Sequence, residues 1–178
     1  LAVAFFWGYF YNKTLENDKQ ETLFASFIAR DEGFLKKYNT LSGVEDRYGR
    51  NPLHVATINP ESFRIYNPIP ILIEKNVNIN ERDFVGRTPL FYAVRSGNLN
   101  DTELLIQKGA DITSADNYGH TPAHVAAIKT GIFDSKGSNH YFDILKSLKE
   151  KGADMNAKDY RGRTVLDCLK YFGNRELN

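Results

Sequence analysis

One cysteine and four histidines are the side chains best suited to nucleophilic or metal chemistry in this sequence. Cys168 lies in the apolar run LDCLKYF, where burial in a helix would raise the pKa of the thiol and suppress its reactivity. The histidines, at positions 54, 120, 124 and 140, do not have the spacing of metal ligands. No nucleophile elbow, phosphate-binding loop or paired-carboxylate motif occurs. We therefore predict a chain that is not an enzyme and that holds no metal and no cofactor.

The balance of charge bears on the class of partner. The chain of 178 residues carries 23 basic and 22 acidic side chains, a formal net charge of +1. This balance gives no general argument for nucleic acid, so we expect no nucleic-acid partner. With 42% hydrophobic and 13% aromatic residues, the chain has enough apolar surface to fold. A single cysteine cannot form an internal disulfide, so stability must come from apolar burial.

Four segments of the sequence resemble one another and indicate an internal repeat. They read DRYGRNPLHVA, DFVGRTPLFYA, DNYGHTPAHVA and DYRGRTVLDCL, and their leading aspartates are Asp46, Asp83, Asp116 and Asp159. These aspartates are 37, 33 and 43 residues apart. A period of this length is typical of a stack of structural units, because a single unit cannot bury its own apolar face.

Each segment has the residues of a tight turn followed by those of a helix start. A glycine follows each leading aspartate by three positions, where a turn needs a positive φ angle. The aspartate can accept hydrogen bonds from backbone amides of the same turn. Thr88 and Thr121 suit helix N-caps, with Pro89 and Pro122 at the first helical position, and Asn51 suits the same capping role. Apolar residues then recur on one helical face: Leu53, Ala56, Leu90, Ala93, Ala123 and Ala126.

The unit with a T-P-L-H-x-A core resembles the ankyrin repeat family over residues 46–178. The resemblance implies an all-α solenoid of about five repeats, each a helix-turn-helix with a β-hairpin turn, in which the first and last repeats act as caps. It also implies that His54 and His124 are hydrogen-bonding groups that tie adjacent hairpins together, although Phe91 occupies the same position in one repeat. The predicted segments are 1–16 (an apolar N-terminal segment), 17–45 (a degenerate capping repeat), 46–82, 83–115, 116–158 with an insertion at 131–142, and 159–178 (the C-terminal cap).

The N-terminal run LAVAFFWGYFY, residues 1–11, carries no charge and is strongly apolar. A bilayer needs about 20 apolar residues, so this run alone is too short to span one. One interpretation is the remnant of a secretion signal or anchor, which would place the chain in the periplasm, outside the cell or on a membrane. The other is a helix that packs on the first repeat of a cytoplasmic protein. Both interpretations stay open.

The resemblance also predicts where a partner would bind. In ankyrin proteins the contacts come mostly from the hairpin residues around the conserved glycine and from the exposed side of the first helix. With Arg82, this surface would hold seven of the ten arginines in the chain, and arginine and aromatic residues are enriched in interface hot spots. We therefore predict a partner protein with acidic surface groups. The predicted partner-binding residues are Arg47, Tyr48, Arg50, Phe84, Val85, Arg87, Arg95, Asn117, Tyr118, His120, Tyr160, Arg161 and Arg163.

The predicted function is reversible protein binding through the concave, hairpin-bearing face, by a chain that is monomeric on its own. Similarity in size and layout to periplasmic ankyrin proteins that restrain hydrolases favours an inhibitor or regulator of a partner enzyme, such as a periplasmic hydrolase. A scaffold or adaptor is the alternative. A structural protein tethered to a membrane through residues 1–11 is a third hypothesis.

Overall fold

The computed structural model describes residues 39–58, 67–133 and 140–173, and side chains except those of 131–133, 172 and 173. Within these ranges the chain forms helices and turns, without a strand longer than the isolated bridge between Lys158 and Thr164. This architecture agrees with the predicted α-solenoid. The segment 1–16 and most of the predicted repeat 17–45 lie outside the described residues, so the repeat count and the cap roles stay predictions. The helices are α1 Pro52–Ile58, α2 Ile69–Glu74, α3 Pro89–Ser96, α4 Leu99–Gln107, α5 Pro122–Phe133, α6 His140–Glu150 and α7 Val165–Gly173.

Helices α1, α3 and α5 begin where the sequence predicts. Thr88 caps α3 by accepting a hydrogen bond from the backbone amide of Phe91 at 3.4 Å, and the Asn51 side chain accepts one from the amide of His54 at 3.1 Å. Both side chains satisfy amides that have no partner inside the helix. At α7 the Thr164 hydroxyl accepts from the Asp167 amide at 3.0 Å, while the Asp167 carboxylate accepts from the Thr164 amide at 2.9 Å. This reciprocal capping box explains the aspartate found where the other repeats have histidine or phenylalanine.

The core lies between successive helix pairs. Helix α1 packs on α3, α3 on α5 and α5 on α7, and the second helices α4 and α6 also contact each other. Leu53, Leu90 and Ala93 are fully buried in these contacts, as predicted, and so is Ala126. Alanines on the packed faces let the helices approach closely, since they add little volume between the two backbones.

The hairpin tips, residues 46–50, 83–87, 116–120 and 159–163, are tight turns built around their aspartates. In the second tip, Oδ1 of Asp83 accepts hydrogen bonds from the amides of Val85 at 3.0 Å and Arg87 at 2.8 Å. Gly86 has a φ angle of +79°, which a side chain would disfavour. The equivalent aspartates and glycines make the same arrangement in the other three tips. The predicted turn chemistry is confirmed, although each tip is too short to form strands.

Hydrogen bonds between repeats join the tips into one row. The amide of Phe84 donates to the carbonyl of Tyr48 at 3.1 Å, and the amide of Tyr160 donates to the carbonyl of Tyr118 at 3.0 Å. Between these pairs, Asn117 donates to the carbonyl of Val85 at 2.9 Å.

The two histidines add bonds beneath this row. Nε2 of His54 donates to the carbonyl of Arg87 at 2.9 Å, and Nε2 of His124 donates to the carbonyl of Arg163 at 3.2 Å. Each ring therefore ties its own repeat to the next hairpin, which is the role that the resemblance predicts.

The predicted insertion at 131–142 is helical at both ends. Helix α5 continues to Phe133 and α6 begins at His140, while 134–139 lie outside the described residues. The hydroxyl of Tyr141 donates to the carbonyl of Arg95 at 3.1 Å, and the Tyr141 ring lies against Gly97. The start of α6 is thus anchored to the end of α3 in the preceding repeat. In the described part of the chain no helix combines the length and apolar character needed to cross a membrane.

Candidate functional site

The hairpin tips present a row of exposed aromatic side chains. Tyr48, Phe84, Tyr118 and Tyr160 are 51%, 72%, 55% and 77% exposed. The tip turns and the bonds between repeats hold the backbone from which these rings project. Large exposed apolar side chains held rigidly are typical of a protein-binding surface.

The stacking register arranges these aromatics in two pairs. Phe84 follows its aspartate by one position and Tyr48 by two, and the inter-repeat hydrogen bond places them side by side. Tyr118 and Tyr160 are paired in the same way. The exposed side chains of Val85 and Asn117 lie between the two pairs, with the Asn117 amide group donating to the carbonyl of Phe84 at 3.2 Å. The aromatic row is therefore interrupted at its centre by Val85 and Asn117.

The Phe84 ring also covers the backbone of the preceding tip. A Cβ atom at Gly49 would lie 2.6 Å from a Phe84 ring carbon. One part of the ring therefore packs on the Gly49 backbone, although most of the side chain faces solvent.

Two of the predicted arginines each bind the aspartate of their own tip. Arg50 donates from Nε to Asp46 at 2.8 Å and from Nη2 at 2.6 Å, and Arg163 makes the same fork with Asp159 at 2.8 and 2.7 Å. Although burial alone would raise it, hydrogen bonds from Arg50 hold the pKa of Asp46 below its usual value. The pKa of Asp159 is lowered in the same way by Arg163. These guanidinium groups already have carboxylate partners within their own repeat.

Arg87 occupies the equivalent position but is held differently. Its own aspartate, Asp83, accepts a hydrogen bond from the Tyr92 hydroxyl at 2.7 Å instead. Arg87 Nε lies 3.7 Å from Oδ2 of Asp116 in the next tip, beyond hydrogen-bond distance. Both atoms are buried, and among the described residues neither has a hydrogen-bond partner. The Arg87 guanidinium also lies 5.2 Å from the centroid of the Phe91 ring.

His120 lies between two aspartates of neighbouring tips. Nδ1 is 3.5 Å from Asp116 and Nε2 is 3.7 Å from Asp159. Its ring is half-buried and stacks at a tilt on Tyr118, with ring centroids 6.2 Å apart.

Two depressions lie beside the tips, and Arg87 lines both. The first, of about 240 Å³, lies between the first two tips. Its lining residues are Tyr48, Arg50, Asp83, Phe84, Val85, Arg87 and Tyr92. The second, which we call the central pocket, has a volume of about 130 Å³ and lies between α3 and α5. Its lining residues are Arg87, Phe91, Arg95, Asp116, His120, Val125, Ile128 and Lys129. We call the four tips and these two depressions together the tip face.

The remaining predicted residues lie at the edges of this surface. Arg47 is exposed, with its guanidinium 5.2 Å from the centroid of the Tyr48 ring, and Arg50 covers the same ring at 4.7 Å. Arg161 is exposed on the last tip, and Arg95 is exposed at the end of α3. The structure therefore places all the predicted side chains on one side of the repeat stack, at the tips or beside them.

Comparison with known proteins gives the family. A model of ankyrin repeats in three copies matches residues 13–116 and, in a second overlapping match, residues 67–159. The chain belongs to the ankyrin repeat family. It is also 32% identical over 117 residues to an ankyrin repeat protein of Rickettsia bellii, which covers 61% of this chain. The chain spans about 56% of the length of that relative.

Membership of the ankyrin family agrees with the chemistry of the buried groups. Ankyrin repeats are generally protein–protein interaction modules without catalysis of their own. Cys168 is fully buried, and burial raises the pKa of its thiol, as predicted. Burial lowers the pKa of His54 and His124, whose Nδ1 atoms accept backbone hydrogen bonds from Asn51 and Thr121. Within the described ranges, no group of histidine, cysteine and acidic residues is arranged to hold a metal ion.

The sequence prediction missed part of this ankyrin surface. Phe91, Val125, Ile128 and Lys129 line the central pocket but were not among the predicted site residues. The repeat spacing does place these four residues on the first helix of their repeats, and that position could have identified them. Helix α5 is apolar on several sides because α3, α6 and α7 all pack on it, so its periodicity does not mark the side that faces the pocket.

Proposed function

We propose that this ankyrin protein binds a partner protein through the tip face and that the partner is an enzyme which it inhibits or regulates. The observation that carries the proposal is the row of exposed aromatics on tips joined by hydrogen bonds between repeats. Such side chains lose little conformational entropy on binding, because the backbone beneath them is already ordered. Aromatic and arginine side chains supply most hot spots of known interfaces.

The charges of the tip face favour a partner with acidic groups. Arg47, Arg95 and Arg161 are exposed, and Nε of Arg87 lies 3.7 Å from the Asp116 carboxylate without a hydrogen bond to it. Complementary charge at the rim of an interface mainly speeds association and selects among partners. Arg50 and Arg163 contribute less to this charge, since each is paired within its own tip.

The inhibitor role is supported by the resemblance of the repeats to those of periplasmic ankyrin proteins that restrain hydrolases. A rigid surface running across four tips could cover the active-site entrance of such an enzyme. Placement in the periplasm, outside the cell or on a membrane belongs to the same proposal, and its support is the apolar run 1–11, which lies outside the described residues. A scaffold or adaptor in the cytoplasm would use the same surface.

The test has two steps. The full chain is immobilised, exposed to native extract and compared with a Tyr118→Ala, Tyr160→Ala variant and with a Lys146→Ala, Lys149→Ala control on the exposed side of α6. Partners retained by the wild type and the control, but lost from the tip variant, are identified by mass spectrometry. We expect the tip variant to lose about 1–3 kcal/mol of binding free energy per aromatic. Equal retention by all three proteins would contradict binding through the tip face.

The second step separates inhibitor from scaffold. The identified partner is purified and, if it is an enzyme, its activity is measured with and without the ankyrin chain. A fall in activity that follows occupancy supports the inhibitor. Unchanged activity at saturation supports a scaffold or adaptor. Cell fractionation with and without residues 1–11 tests the tethered alternative.

A further inference from the structure

The central pocket combines positive charge with an apolar floor. Three cationic residues, Arg87, Arg95 and Lys129, line it together with one carboxylate, that of Asp116. Phe91 and Val125 are buried residues of its floor, and Ile128 is half-buried beside them. Cations on the wall and apolar atoms beneath them suit a ligand group with a charged end and a short aliphatic stem.

The cations in the pocket repel one another. Burial, and after it the positive charge of Arg95, lowers the pKa of Lys129. Arg87 Nε reaches no carboxylate within hydrogen-bond distance, whereas the equivalent Arg50 and Arg163 form close forks. An anion that entered the pocket would therefore relieve the repulsion between Arg95 and Lys129. It would also lie near the Arg87 guanidinium, which forms no fork with a carboxylate as Arg50 and Arg163 do.

The size and charge of the pocket limit what it can hold. Its volume of about 130 Å³ is about that of four water molecules, which is enough for one medium side chain. The Asp116 carboxylate offsets part of the positive charge of the three cations in the lining. The floor formed by Phe91, Val125 and Ile128 favours a side chain with methylene groups below its charge.

We propose that the central pocket is a specificity subsite that receives a glutamate side chain of the partner protein, with its carboxylate at Arg95, Lys129 and Arg87. This inference rests on the proposed function and names the chemistry by which the tip face selects its partner. Glutamate fits better than aspartate, whose single methylene would not reach both the floor and the cations.

The test selects peptides on the full chain from a displayed random library. Three proteins are compared: the wild type, an Arg95→Gln, Lys129→Gln variant, and a Lys146→Gln, Lys149→Gln control that loses the same charge from α6. Thermal melting shows that all three are folded. We expect the wild type and the control to enrich peptides with glutamate at one fixed position, and the pocket variant to lose this preference.

A selected peptide is then synthesised with glutamate, aspartate, glutamine or phosphoserine at that position, and its Kd is measured with each protein. We expect glutamate to bind about tenfold or more tighter than glutamine on the wild type, and to lose that advantage on the pocket variant. The Arg87 and Arg95 side-chain Nε–H signals in NMR should shift with the glutamate peptide.

The outcomes separate this inference from the proposed function. Peptides that bind the tip face without an acidic position, or that keep their glutamate preference on the pocket variant, would overturn the subsite and leave the tip face standing. Tighter binding of phosphoserine than of glutamate would also overturn it. Peptides that need Lys146 and Lys149 would contradict both, and so would a selection that enriches no sequence.

Discussion

Arg87 Nε lies 3.7 Å from Oδ2 of Asp116, and this contact is one of those between the second and third hairpin tips. The Asp116 side chain is 1% exposed and that of Arg87 is 24% exposed. The two charges therefore interact in a partly buried setting, where pairing is stronger than on an open surface. The same guanidinium lines both depressions of the tip face, so Arg87 belongs to the stack and to the proposed binding surface at once.

This contact predicts an energetic coupling between the second and third repeats. In a double-mutant cycle with Arg87→Gln and Asp116→Asn, urea unfolding should give a coupling free energy of about 0.5–2 kcal/mol. The matched pair of Arg161 with Asp116, which are not in described contact, should give about zero by the same additivity principle. No coupling between Arg87 and Asp116 would show that the contact has no part in stability.

The same contact makes Arg87 a poor position for charge-reversal tests of binding, because a glutamate there would face the buried Asp116.

Leu90 provides the test of the stacked core. It is fully buried between α3 and its neighbours, and Leu90→Ala should lower the free energy of unfolding by about 2–5 kcal/mol. Because each repeat is stabilised by its neighbours, the unfolding transition should also become less cooperative. Leu104→Ala offers a comparison on α4, where the half-buried side chain should give a smaller loss. A change below about 1 kcal/mol for Leu90→Ala would mean that the core is misplaced.

His54 and His124 predict how stability depends on pH. Burial lowers the pKa of both folded residues, so the unfolded chain takes up protons first as the pH falls through about 6.5. Their full contribution to stability is therefore present above this pH and is lost below it. The free energy of unfolding should decrease between about pH 7.5 and pH 5.5, as measured by urea denaturation. The decrease should be smaller in a His54→Phe variant, because phenylalanine does not titrate. Phenylalanine is also the residue at the equivalent position of the next repeat, Phe91. An equal decrease in both proteins would contradict this assignment.

The thiol of Cys168 should be unreactive in the folded protein. Its thiol is buried and its pKa is raised, so a thiol-specific reagent should react slowly in native conditions and rapidly in urea. Cys168→Ala should reduce stability by about 1 kcal/mol and leave partner binding unchanged. Loss of an activity in a folded Cys168→Ala protein would contradict the assignment of a non-catalytic core residue.

The sequence predicted the parts of the fold that local chemistry determines. Thr88, Asn51 and the tip glycines were identified because capping and positive φ angles restrict residue type within a few positions. The pairing of Val85 with Asn117 was not predicted, since it depends on the register in which neighbouring tips are aligned. Lys129 was not predicted either. Three helices pack on α5, so its apolar residues lie on several sides and the sequence does not show which side is exposed.

The most direct test of binding through the tip face is site-specific photo-crosslinking. A photoreactive phenylalanine analogue replaces Tyr118 or Tyr160 on the tips, or Lys146 or Lys149 on α6, all of which are exposed. Each labelled chain is irradiated in native extract, and the adducts are resolved by mass. We predict that both tip positions form an adduct with the same partner and that both α6 positions do not. The same adduct formed mainly from Lys146 and Lys149 would place the partner on the other side of the repeats and contradict the account.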